Sequence, residues 1–341
     1  MIHILLPVHN RVALTCGFVE SLRGQTLSDF HLVLVDDGCT DGTAKRVRAL
    51  LPQDRLTVLT GTGAWWWAGS LDQAYRHLLS ARPPDEDLVL IVNDDVTIKP
   101  DFLEMAAAAY RRAEGNAVEI SSPLPAGEGW VRAEAPDASM RSSQAQGAQA
   151  LTPTPLPRGE GLNSTLLRAG GGLVLAQHWL PERAVADESG VAADLENLQF
   201  PIAREPRQIN CLSTRGLVLS WGTMKAIGGF HPRLLPHYLS DFEYTLRAYR
   251  KGYSLTTDPA FHLTVNPETT GYHGIDPSMP VFSYLRRLFS TKSAQNPLHW
   301  TAFVVLTCPP LKALNHAARI WLSVLRTAMG LARRQYFNAH G

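Results

Sequence analysis

Four cysteines in 341 residues (Cys16, Cys39, Cys211 and Cys308) lie far apart and form no Cys-x-x-Cys pair. That excludes a disulfide framework or a cysteine zinc site and predicts reduced thiols in a cytosolic protein. No window of ~20 uninterrupted apolar residues occurs, which argues against a spanning helix. The N-terminus enters a strand-like run almost at once, without the pattern of a signal peptide. No Gly-x-Gly-x-x-Gly follows the first strand, and no Gly-x-x-x-x-Gly-Lys-[Ser/Thr] occurs anywhere, so dinucleotide and P-loop chemistry are disfavoured. The net charge is only +1, which provides no global argument for a nucleic-acid partner. Acidic residues stop altogether after Asp276, while eight Lys and Arg follow.

What is present is a 45% hydrophobic chain, long enough to bury a large core in one sizeable α/β domain with additions. Strand-like IHILLPV, HLVLVDD, LTVLTG and DLVLIV alternate with helical stretches at Val12–Arg23, Thr43–Leu51, Ser70–Ser80 and Asp101–Arg112. This alternation predicts βαβ units, a parallel sheet and right-handed crossovers. After residue 162, LRAGGGLVLA, INCLSTRGLVLS and SLTTDPAFHLTV read as strands. Helices are expected from Thr223 and over Asp241–Lys251, and the chain from Pro280 reads as helical with a break at Pro309-Pro310.

Residues 123–162 break the pattern. They are rich in Ala, Gly, Pro, Ser and Gln, and Pro123-Leu-Pro-Ala-Gly-Glu-Gly129 recurs imperfectly as Pro155-Leu-Pro-Arg-Gly-Glu-Gly161. Two copies are too few for a solenoid, and the composition predicts a disordered low-complexity insertion. The expected organisation is therefore a first half over 1–122, the insertion over 123–162, a second half over 163–275 and a basic helical tail over 276–341.

The feature richest in chemistry is Asn93-Asp94-Asp95 at the end of the apolar run Leu88–Val92. Open α/β sheets place their ligand crevice at such strand ends. Adjacent carboxylates repel unless a cation neutralises them, which suits a hard metal; a helix N-cap is the plainer alternative. Asp36-Asp37-Gly38 closes the second strand, where a carboxylate can accept from a base or ribose, or simply form a turn. Pro7-Val8-His9-Asn10 faces the same crevice.

In order along the chain, LLPVHNR, LVLVDDGCTDGT, GTGAWWWAGSLDQA, LIVNDDV and PHYLSDFEYTLRAYRKGY resemble the family-2 glycosyltransferases of the GT-A fold, in particular rhamnosyltransferase-like enzymes of bacterial surface glycans. The resemblance implies an α/β fold of GT-A type, with a Rossmann-like, mostly parallel central sheet flanked by helices. It implies that Pro7, His9 and Asp37 hold the base and ribose of the donor, with Asn93 and Asp94 beside them. Asp95 would be the direct ligand of a diphosphate-bound Mg²⁺ or Mn²⁺. Asn93 departs from the family's Asp-x-Asp signature, and His9 stands where the family often has another polar residue.

Asp241 corresponds to the family's catalytic carboxylate. Inverting transfer needs one base behind the anomeric carbon to take the acceptor proton. In the Trp65-Trp66-Trp67 run, at least one ring is expected in the core, with Trp66 beside the donor and Trp67 on the acceptor side. Arg215 and Glu243 are further acceptor-side expectations, with Arg247 as the i,i+4 partner of Glu243. His237, His262 and His273 are weaker contacts.

The reading is an inverting, metal-dependent transferase using a UDP- or dTDP-linked sugar, with a glycan or lipid-linked glycan as acceptor and no nucleic acid. A catalytically degenerate donor-binding homologue and a sugar-nucleotide pyrophosphorylase are the rivals. Finally, Leu311, Leu314, Ala318, Trp321, Leu325 and Met329 step by three and four, with Lys312, Arg319, Arg326 and Arg333 every seven residues along the edge. This pattern over 311–334 fits either a helix packed on the domain or peripheral contact with the cytoplasmic membrane.

Overall fold

In a computed structural model of the chain, the described residues are 1–120, 171–180, 183–188, 190–265 and 279–340. The expected insertion and His273 lie outside them. The first half runs β1 (Ile2–Val8), α1 (Val12–Arg23), β2 (Phe30–Asp36), α2 (Thr43–Leu50), β3 (Leu56–Thr60), α3 (Trp66–Ala81) and β4 (Leu88–Ile91). A short β5 (Val96–Thr97) and α4 (Phe102–Ile120) follow. The remainder comprises β6 (Gly172–Leu180), β7 (Arg183–Glu188), β8 (Leu217–Ser220), α5 (Trp221–Ile227), α6 (Ser240–Arg250) and β9 (Ser254–Val265), then α7 (Val281–Leu288), α8 (Pro297–Thr307) and α9 (Pro310–His340).

The described strands form one sheet in the order β3-β2-β1-β4-β8-β6-β9-β5, with β7 against β6. The βαβ half, β3-β2-β1-β4, is parallel as the alternation predicts. Beyond it the sheet is mixed: β8 runs antiparallel to β4 and β6, while β6 and β9 are parallel. Four residues separate β4 from β5, yet β5 pairs with β9 at the far end of the strand order. So short a link requires the sheet to curl back on itself, and Asn93-Asp94-Asp95 supplies its last three residues.

Continuous apolar strands are explained by burial on both faces. In β1, Ile4 and Leu6 join a core with Leu32, Phe102 and Phe261, while Leu5 points the other way among Val33, Val89 and Trp221. Helix α8 docks on α6 through Phe303, Val304 and Leu246.

Three elements differ from expectation for identifiable reasons. INCLSTRGLVLS keeps a strand only over Leu217–Ser220, because Gly216 has φ +88, a left-handed conformation that ends the ladder. Helix α5 begins at Trp221, with Ser220 Oγ accepting from Thr223 N–H at 3.1 Å as its cap. Helix α3 begins at Trp66, four residues before Ser70, for a reason that lies in the site.

Candidate active site

Strand order 3-2-1-4 sends successive connections to opposite sides of β1, so a topological switch point opens between the C-terminal ends of β1 and β4. The residues at these ends are those whose chemistry stands out in the sequence. Past β1, Arg11 reaches across the crevice: Nη1 lies 3.1 Å from Asp94 Oδ1 and Nη2 lies 3.3 Å from Asp95 Oδ2. Thr15 Oγ1 donates to Asp94 Oδ2 at 2.8 Å. Both carboxylates are buried. Burial pushes the Asp94 carboxyl up from its ordinary range, and the Arg11 charge and the Thr15 hydroxyl oppose that rise.

The N-cap alternative for Asp94 and Asp95 fails on position, because β5 intervenes and α4 starts only at Phe102. The neutralising cation here is Arg11, to which the sequence motifs assign no role. Its signal was available: a basic residue three positions after β1, facing an acidic turn after β4.

Asn93 Oδ1 is a buried oxygen with no hydrogen-bond partner. A buried carbonyl left in that state is costly, and an incoming cation or hydroxyl would satisfy it. Asn93, Asp94 and Asp95 form a hard, all-oxygen donor set of the kind Mg²⁺ or Mn²⁺ takes. Among the described residues no cluster of three or more His, Cys, Asp or Glu side chains forms a metal cage. The residues therefore fit an ion held partly by protein and partly by donor phosphates and water, as Mg²⁺ commonly is.

The second cluster lies at the end of β2. Asp37 is buried, and its carboxylate accepts three backbone N–H groups: Gly63 at 2.8 Å, Trp65 at 2.9 Å and Trp66 at 2.9 Å. An acidic side chain 29 residues upstream thus caps α3, which explains its early start. The two loops touch closely: a Cβ on Gly38 would sit 2.5 Å from Gly63 N, and Gly38 itself has φ +68. His9 Nδ1 donates to the Asp37 carbonyl oxygen at 2.6 Å, leaving an exposed ring at the mouth of the crevice. Pro7 is buried in β1, at the register position facing Val35.

The tryptophan run splits. Trp65 and Trp67 pack against the core, and Trp67 Nε1 donates to Thr214 Oγ1 at 3.2 Å. Trp66 is held at φ +57, a conformation costing a non-glycine residue about 1 kcal/mol. Its ring lies 5.8 Å from that of His237. Ala68 N–H also donates to the Pro236 carbonyl at 2.9 Å, so the start of α3 is fastened to the loop leading into α6. That loop delivers Asp241 to the first turn of α6, half-buried, with Oδ1 accepting from Phe242 N–H at 2.9 Å. The His237 ring is pushed down to about 4 by burial, with His299 and Lys292 adding to the effect.

Other expected residues are committed to partners. Glu243 is buried and bidentate with Arg247, at 2.9 Å and 3.0 Å; Arg247 also donates to the Ile227 and Gly229 carbonyls. The Arg247 guanidinium thus ties α6 to the end of α5. The Arg215 carbonyl accepts from His178 Nε2 at 2.7 Å, and Gly216 N–H donates to Ile91 O, which sets Arg215 beside the end of β4. His262 packs against Trp179. The four cysteines are free thiols. Burial raises that of Cys39 to about 12, too high for a thiolate nucleophile at neutral pH.

Residues 3–154 match the family profile described as glycosyl transferase family 2. Over this stretch the chain is similar to the family 2 glycosyltransferases. No curated protein matches the chain. Among solved structures, S. aureus TarS superposes with a TM-score of 0.50 at 15% identity, over 96% of this chain and 54% of that one. The chain thus spans about half the length of TarS. The mannosyltransferase PcManGT from Pyrobaculum calidifontis, solved with GDP-Man and Mn²⁺, gives 0.47 at 17% identity over 97% and 73%. Glucosyl-3-phosphoglycerate synthase from Mycobacterium tuberculosis, solved with Mn²⁺, UDP and phosphoglyceric acid, gives 0.44 at 14% identity over 91% and 79%. At such identities the likeness bears on fold alone, and the fold is of GT-A type.

Proposed function

We propose that this glycosyltransferase moves a sugar, with inversion, from a UDP- or dTDP-linked donor to a hydroxyl of a glycan or lipid-linked glycan. The observation that carries the proposal is the crevice between β1 and β4, where Arg11 meets two buried carboxylates beside the unsatisfied Asn93 oxygen. An anionic diphosphate brought there with its cation would find both a guanidinium and oxygen ligands.

Asn93, Asp94 and Asp95 would hold Mg²⁺ or Mn²⁺, with Asp95 the direct ligand. Such an ion stabilises the negative charge that develops on the leaving diphosphate. Arg11, released from part of its pairing, is placed to contact the same phosphates. Asp241 takes the proton of the acceptor hydroxyl as that oxygen attacks the anomeric carbon. Pro7, His9 and Asp37 border the base and ribose; Asp37 does so mainly by holding the loop that carries Trp66. Trp66 and His237 line the side on which the sugar enters. Trp67 and Arg215 stand toward the acceptor. The setting is the cytoplasm, with the tail over 311–334 resting on the inner face of the membrane, where a lipid-linked acceptor would be found.

A thermal-shift panel of nucleotide-sugars with Mn²⁺ tests the donor, since bound ligand stabilises by mass action. Transfer and donor hydrolysis by wild type, Asp95→Ala and Asp241→Asn test the chemistry. Asn93 favours one second reading, a homologue that binds donor without turnover. Wild type that is stabilised by a donor yet neither transfers nor hydrolyses it would establish that reading instead.

A further inference from the structure

Helix α9 carries two apolar faces. Ala313, Ile320, Val324 and Leu331 turn inward, against residues of α7 and α8. The periodic stripe picked out in the sequence is the other face. Leu311 is 84% exposed, Leu314 70%, Leu325 55% and Met329 63%, with Leu322 between them. The stripe runs over about 27 Å at 1.5 Å per residue. It continues onto α8: Trp321 Nε1 donates to Thr301 Oγ1 at 3.1 Å, and on that side of α8 Leu298 and Val305 are exposed. Contiguous apolar surface of this extent marks a contact site.

Charge identifies what the contact is. Lys312, Arg319, Arg326 and Arg333 are all exposed and recur at every seventh position along one border of the stripe. No Asp or Glu occurs after Asp276. Lys312 already pairs with Glu196, but a second copy of the chain would still set Arg319 and Arg326 against like charges with no tail carboxylate to offset them. An anionic bilayer answers both features at once, because headgroups take the cations while the stripe enters the acyl boundary. Among the described residues no helix is long and apolar enough to cross a membrane.

We propose that the outward face of α9, extended by α8, docks flat on an anionic phospholipid surface. Its link to a lipid-borne acceptor rests on the glycosyltransferase reading; the docking itself does not. Flotation of the full chain with phosphatidylcholine vesicles, with and without phosphatidylglycerol, tests it. The wild type should float with the anionic vesicles and remain below with the neutral ones. Leu322→Glu/Leu325→Glu should abolish flotation, and Arg319→Gln/Arg326→Gln should weaken partitioning about 30-fold, from about 1 kcal/mol per cation. Both variants should keep the wild-type melting curve and donor-induced thermal shift, so a failed donor site is seen separately. Wild type that stays below with anionic vesicles overturns the proposal, as does a glutamate variant that still floats. So does light scattering that finds a wild-type dimer split by the glutamates, which would assign the face to a second copy.

Discussion

Arg11 Nη1 stands 3.1 Å from Asp94 Oδ1, joining the end of β1 to the end of β4 across the switch point of the sheet. The Asp94 side chain is 2% exposed and that of Arg11 32%, so the pair is only partly screened. Through its second nitrogen the same guanidinium holds Asp95, and the repulsion between adjacent carboxylates is absorbed by the protein itself.

Arg11→Ala should therefore destabilise the fold by on the order of 2–3 kcal/mol, because two buried carboxylates lose their counter-charge. Added Mn²⁺ should restore part of that loss, and should raise the melting temperature of the variant more than that of wild type. A variant as stable as wild type and indifferent to Mn²⁺ would refute the role given to the pair.

Removing the base while keeping the shape isolates Asp241. Asp241→Asn should lower kcat by about 10²–10⁴-fold, the range of general base catalysis, with the donor-induced thermal shift preserved. Equal loss of donor binding would mean that the side chain holds donor and is not the base.

Asp37 is a test of clamp against ligand. With three backbone N–H groups released, Asp37→Ala should cost about 2–4 kcal/mol and weaken donor binding together with it. Asp37→Asn, which retains one acceptor oxygen, should fall between. An unchanged melting temperature with weakened donor binding would identify a residue that touches only the base.

Burial lowers the folded-state value of His237 from 6.5 to about 4, so between these values the unfolded chain binds the extra proton. Stability from this group is complete above pH 6.5 and is lost as pH falls toward 4, by on the order of 3 kcal/mol. His237→Gln should flatten that part of the stability–pH curve relative to wild type. Superimposable curves would show that His237 does not titrate in this way.

The strands of the first half, their helices and the order of the site motifs were legible because each is written in local periodicity. Apolar runs such as Leu88–Ile91 announce themselves, and the carboxylates Asp37, Asp94, Asp95 and Asp241 fall at element ends. The stripe on α9 was equally visible, but periodicity gives the spacing of a face and not the direction in which it points; the structure turns it outward. Glu243 pairs with Arg247 as the i,i+4 spacing predicts, but the reach of Arg247 to the Ile227 carbonyl at the end of α5 arises only when the helices pack.

What the sequence by itself determined is the set of elements and the chemistry available at their ends, since both follow from short-range spacing. Which charges meet was decided only in three dimensions. Asp37 lies 29 residues from Trp66 and Arg11 lies 84 from Asp95, and no periodicity reaches that far. The curl of the sheet and the crossing at the switch point bring these groups within hydrogen-bond range, and burial there makes each pairing matter.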